Sequence, residues 1–148
     1  MFSRRRMSIG VIAVAFMAGL RTSVRAQQIV HIGRDSPERK AILDVVRVAV
    51  ERLLGIKVIF VVERMTVYGD WAFVALHPRN EAGQHIDYRR TLIGKDFDPD
   101  QDSDYAAALL RRNGPTWTLI EDAFLPNDVV WVDWETKHKL PHRLFIDE

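Results

Sequence analysis

Histidines, tyrosines and carboxylates are the residues of this chain whose chemistry could act on another molecule. His77 closes an alternating stretch whose same-face neighbours are Trp71, Phe73 and Ala75. That places it at the rim of an apolar face, as the mouth of a pocket or as a rim histidine with an ordinary hydrogen bond. His85, Asp87 and Tyr88 follow in the next polar segment. Proton transfer needs an acid and a base within hydrogen-bond reach, with pKa values set by their surroundings. His77 with His85, Asp87 or Tyr88 is therefore the candidate catalytic set. The sequence puts these residues on adjacent segments and leaves their convergence open.

Asp96, Asp98, Asp100, Asp102 and Asp104 alternate through the same segment. Hard oxygen ligands suit calcium, but an EF-hand wants glycine at the sixth position and glutamate at the twelfth. Counting from Asp96 gives Gln101 and Ala107, and counting from Asp98 gives Ser103 and Leu109. Two readings remain: a non-standard, weak Ca2+ site, or a solvated acidic loop that keeps a sheet edge from pairing. No other cofactor is expected.

Other chemistries find less support. His138 and His142 have the spacing of helical zinc ligands, but Pro141 interrupts the helix that would align them. His31 falls in a strand end or a disordered stretch. The only serines after residue 26 are Ser36, in a helix-cap position, and Ser103, among aspartates; neither sits in a Gly-x-Ser-x-Gly elbow. Phosphate-cradling glycine motifs are absent. The chain has no cysteine, which removes thiol nucleophiles, thiolate metal sites and lipid attachment through cysteine. Trp131 and Trp134 are three apart, so on a helix they share a face that either packs in the core or binds a partner. Trp71 and Trp117 are expected in the core. Arg89-Arg90 and Arg111-Arg112 either touch anionic wall polymers or lipid head groups, or stay in water.

The elements that must position these groups are written unevenly. Asp35-Ser36-Pro37-Glu38 supplies a cap, a proline for the first helical turn and an acid that complements the dipole. Ile42, Val45, Val46, Ala49 and Leu53 then recur at helical spacing, and Gly55 is placed to end the helix. Residues 57–67 are rich in β-branched side chains and residues 71–77 alternate, with Tyr68-Gly69-Asp70 as a tight turn. A second hairpin is expected from residues 105–112 and 117–124, turning at Asn113-Gly114-Pro115. Between the hairpins, residues 78–104 are longer than an ordinary loop, which makes them functional, flexible or partly structured. Residues 129–138 read equally as a short C-terminal helix or strand.

One long N-terminal helix packed on a curved four-stranded antiparallel sheet is an α+β plan, and it resembles the cystatin-like and NTF2-like folds. Arg39-Lys40-Ala41-Ile42-Leu43-Asp44, Gly69-Asp70-Trp71-Ala72-Phe73-Val74, Ala108-Leu109-Leu110-Arg111-Arg112 and Asp128-Val129-Val130-Trp131-Val132-Asp133-Trp134 carry a narrower likeness. They resemble small uncharacterised exported bacterial proteins, some of which occur beside SH3-type domains. That resemblance implies no activity and assigns no residue a role. The NTF2-like likeness implies a conical helix–sheet cavity in which His77 and its neighbours would transfer protons or hold a small ligand.

The first 26 residues supply an address. Arg4, Arg5 and Arg6 precede a 12-residue run of apolar and small residues, Ile9 to Leu20, and Val24-Arg25-Ala26 fits a signal-peptidase site. The run is too short to span a bilayer comfortably. Ser3-Arg4-Arg5-Arg6-Met7 also resembles the start of a twin-arginine signal, although the apolar residue after Met7 is missing and a start at Met7 would remove it. The expectation is a cleavable signal peptide, 1–26, and a single α+β domain, 27–148, free in the periplasm or secreted, with no transmembrane anchor. That domain has 122 residues, 16 basic and 20 acidic, for a net charge of −4. A charge of this sign argues against nucleic acid as a partner. The sequence thus implies an exported non-enzymatic envelope protein that binds a protein, a ligand or a cell-wall component. Two alternatives stand beside it: a small-ligand carrier or proton-transfer enzyme using the helix–sheet cavity, and a calcium-stabilised envelope module.

Overall fold

Pro37 opens α1 (Pro37–Leu54) at the position where a missing N–H costs nothing, with Ser36 as its N-cap and Glu38 in its first turn. The helix ends where Gly55 takes a left-handed φ of 73° and donates its N–H to the Glu51 carbonyl. Its buried ridge is Ile42, Val46, Val50 and Leu54, one i,i+4 row, while Leu53 stands at the margin and Val48 is exposed. Each buried aliphatic on such a ridge contributes roughly 1.5–3 kcal/mol relative to exposure.

The computed structural model describes residues 28–147, so the expected signal peptide lies outside the described residues. The strands are β1 (Ile29–His31), β2 (Ile59–Tyr68), β3 (Trp71–Arg79), β4 (Ala106–Asn113) and β5 (Thr116–Phe124). They form one antiparallel sheet in chain order. Two-residue turns with a positive-φ glycine in first place, Gly69 (57°) and Gly114 (60°), close the β2–β3 and β4–β5 hairpins. α2 (Trp131–His138) follows, so residues 131–138 are a helix and not a strand.

These elements overturn the expected fold of one N-terminal helix against four strands. A strand, β1, comes before α1 in the described chain and makes the sheet five-stranded. Three residues are too few to show a period, which is why β1 escapes a reading of the sequence. The two helices, of 18 and 8 residues, also accompany opposite faces of the sheet. Ala72, Val74 and Leu76 of β3 and Ala106, Ala108 and Leu110 of β4 face the α1 core. Phe73, Ala75, Ala107 and Leu109 face a second core formed with Trp134, Leu140, Leu144 and Phe145. Strands that are apolar on both faces need two covers. The side chains between α1 and the sheet are almost fully buried and form the core on this face.

The second cover is tied down by polar contacts. The Arg64 guanidinium donates to the carbonyls of Arg143, Leu144 and Ile146 and pairs with Asp147. Thr66, fully buried, donates its hydroxyl to the Leu144 carbonyl. A β-bulge between Val62 and Arg64 leaves Glu63 as the extra residue of β2.

Candidate functional site

β3 outlasts its pairing with β4. The ladder between them ends at Leu76 with Ala106, and the next β3 residues, His77, Pro78 and Arg79, pair only with β2. Pro78 is tolerated there because one side of the strand has no ladder to donate to. The vacant side is filled by Asp104, the last aspartate of the alternating run. His77 Nδ1 lies 3.0 Å from Asp104 Oδ1, Arg79 donates to Oδ2 at 3.0 Å, and His85 Nδ1 stands 3.4 Å from Oδ2. On its other side, His77 Nε2 lies 3.1 Å from Glu63 Oε2. Both ring nitrogens of His77 therefore lie within hydrogen-bond distance of a carboxylate.

Electrostatics follow from this crowding. Burial acts to raise the Asp104 carboxyl, but the hydrogen bonds and charges of His77 and Arg79 outweigh it and hold the pKa below the ordinary value. Tyr88 is 4% exposed and its hydroxyl has no hydrogen-bond partner among the described residues. Burial, reinforced by the Asp104 charge and opposed by Arg79, pushes this phenol up to about 12. Burial and the nearby Glu63 also raise Tyr105, whose ring meets the His77 ring edge-on at 6.0 Å between centroids.

Residues 80–104 are built rather than loose. Asn80 and Gln84 close a turn, Tyr88–Arg90 form a 3-10 turn, and Leu92 donates its N–H to the Leu54 carbonyl at the end of α1. Gly94 is required here: a Cβ would lie 2.2 Å from the Arg89 carbonyl oxygen. The Tyr88 and Phe97 rings pack at 5.0 Å and cover the edge of the α1 core. Together the segment forms an open cleft of about 580 Å³, lined by His85, Asp87, Tyr88, Phe97, Asp102 and Asp104 among others.

Of the four candidate catalytic residues, the structure brings His77 and His85 onto Asp104 and places Tyr88 beneath the cleft. Asp87 instead pairs with Arg89 and Arg90 on the surface; its carboxyl is lowered chiefly by the Arg89 hydrogen bond. The five aspartates do not gather. Asp102 accepts the Asp98 N–H, Asp98 accepts the Asp100 N–H, Asp96 is exposed and Asp104 belongs to His77. Among the described residues no three histidine or carboxylate side chains form a group that could hold a metal ion. His138 and His142 point to different partners, Glu121 and Glu135.

The two candidate binding tryptophans lie in or against the second core. Trp134 is 7% exposed, and Trp131 stacks on Phe145 with planes 10° apart. They share a helix face, and that face is turned to the sheet. Glu63 and Arg79 are functional neighbours that motif reasoning passes over. Strand alternation holds the signal: Arg79 is two residues beyond His77, and Val61, two before Glu63, is the cross-strand partner of His77. Among the described residues no helix is long and apolar enough to cross a membrane. Comparison with protein-family models, curated proteins and solved structures finds no match for this chain.

Proposed function

We propose that this chain is an exported, non-enzymatic envelope protein that works by binding, with the cleft beside Asp104 as its ligand seat. The observation that carries this reading is the double engagement of His77. A general base needs a free lone pair aimed at substrate. Both ring nitrogens of His77 are instead held, one by Glu63 and the other by Asp104, and Arg79 and His85 also engage Asp104. The polar atoms of the cluster are thus occupied by one another. The adjoining cleft is open to water, a poor setting for charge development in a transition state but an ordinary one for recognition.

The lining indicates the class of ligand. The Phe97 and Tyr88 rings supply apolar surface, and Asp102 and Asp104 supply negative charge. A molecule that combines an amine or guanidinium with a short apolar stem matches that set. Cell-wall peptides and envelope proteins both carry such groups.

Mass spectrometry of untagged protein purified from its own cells tests both halves of the reading. The expected chain begins at Gln27, and native spectra retain a non-covalent ligand or partner that is lost with Asp104→Asn and kept with Asp87→Asn. A chain that keeps residues 1–26 would overturn export. Turnover of the retained molecule, abolished by His77→Ala, would overturn the non-enzymatic reading.

A further inference from the structure

β2 is ten residues long, yet β1 pairs with only its last three, Thr66–Tyr68. The Ile32 N–H reaches the Met65 carbonyl, and the chain then turns away through Gly33 and Arg34 into α1. Along Ile59–Arg64 the outer side of β2 therefore has no strand partner among the described residues. This stretch spans about 20 Å at the usual rise per residue. It carries Ile59 and Val61, which are 42% and 51% exposed. Such an edge is a template for another strand unless something guards it.

Charge surrounds the slot unevenly. A groove of about 460 Å³ runs beside Val62–Met65 and is walled by Arg34, Arg39 and Arg64. Arg64 is matched by Asp147, and Glu63 is turned to His77. Arg34 and Arg39 have no ion-pair partner among the described residues. The slot thus offers main-chain hydrogen bonds, two exposed β-branched side chains and two unmatched positive charges where β1 leaves off.

We infer that the open edge of β2 is a docking site for an extended acidic segment of another protein, which adds as a strand beside Ile59–Arg64. Main-chain bonds supply the affinity, and Arg34 and Arg39 select acidic side chains. The bulge at Glu63 and the surrounding charges work against indiscriminate pairing, so an uncharged or basic strand is disfavoured. The groove beside this edge shares no lining residue with the Asp104 cleft, although Glu63 links β2 to His77, and failure of the inference would leave the ligand-binding reading standing.

The test uses the protein as its cells make it and three eight-residue peptides: alternating valine and glutamate, the same with lysine, and the glutamate peptide with alternate backbone nitrogens methylated. Binding is followed with amide hydrogen exchange. The glutamate peptide is expected to bind and to slow exchange at residues 59–64. The methylated peptide is expected not to bind, and Arg34→Ala with Arg39→Ala to weaken binding by about tenfold. No binding, equal binding of the lysine peptide, or binding indifferent to methylation would overturn the inference. So would protection confined to the Asp104 cleft, or an edge already protected in the peptide-free protein by self-association.

Discussion

Burial holds the Tyr88 hydroxyl in its neutral form, with a pKa of about 12 in the fold against 10.0 in the open chain. For an acid whose folded pKa is raised, the associated stability is fully present below the open-chain value and is lost as pH rises through the folded one. Stability should therefore fall by on the order of 2–3 kcal/mol as pH rises from about 10 to 12 and the buried phenol is forced to ionise. Ultraviolet titration should show Tyr88 and Tyr105 ionising later in native protein than in urea, and Tyr88→Phe should flatten the alkaline loss of stability. Asp104 behaves oppositely. Its lowered carboxyl contributes stability above the ordinary value of 3.8, which is lost as pH falls through the lower folded value. Asp104→Asn should cost about 1 kcal/mol at neutral pH, a modest figure for a carboxylate still partly in water, and should blunt acid unfolding. Denaturant melts of both proteins across the acid range check this. Asp104 is one of five similar aspartates in the sequence. Nothing local separates it from Asp102; what does is the end of the β3–β4 ladder, which sets it against His77.

At the level of elements, the helix α1 and the two hairpins rest on local signals. Caps, proline and glycine positions and strand alternation act over a few residues, and Pro37, Gly55, Gly69 and Gly114 each do the backbone task their chemistry suits. The register of α1 was only partly legible: of the expected stripe Ile42 and Val46 are fully buried, Val45 and Ala49 are half-buried and Leu53 lies at the margin, while Val50 and Leu54 complete the buried ridge. Apolar residues all round the helix leave the buried face to be chosen by the sheet. α2 was ambiguous for the same reason, since valine and tryptophan suit either a strand or a buried helix face. Its role gives a clear expectation. Trp134→Ala should destabilise the fold by about 3–5 kcal/mol, because it empties the centre of the second core. Val132→Ala, on the exposed side of the same helix, should change stability by less than about 0.5 kcal/mol. Denaturant midpoints distinguish this from a binding patch, where Trp134→Ala would leave stability intact.

For the whole molecule, the aspartate run provides a direct measurement. Asp98, Asp102 and Asp104 spend their carboxylates on backbone N–H groups and on the His77 cluster. Added calcium should therefore leave the melting temperature within about 1 °C, whereas binding at a specific site would raise it with metal concentration. The sequence by itself determined the properties that local order controls: the charge of residues 27–148, the boundaries of α1, the hairpin turns and the poverty of nucleophilic motifs. It also carried the apolar alternation on both faces of β3 and β4, although the need for two covers became plain only once α1 and α2 had places. Tertiary structure alone decided the fifth strand, the placing of the two helices on opposite faces of the sheet, and the meeting of His77 with Asp104. Those two residues are 27 positions apart. Their contact depends on where one strand outruns its neighbour, a property of pairing between distant segments that no short window of sequence contains.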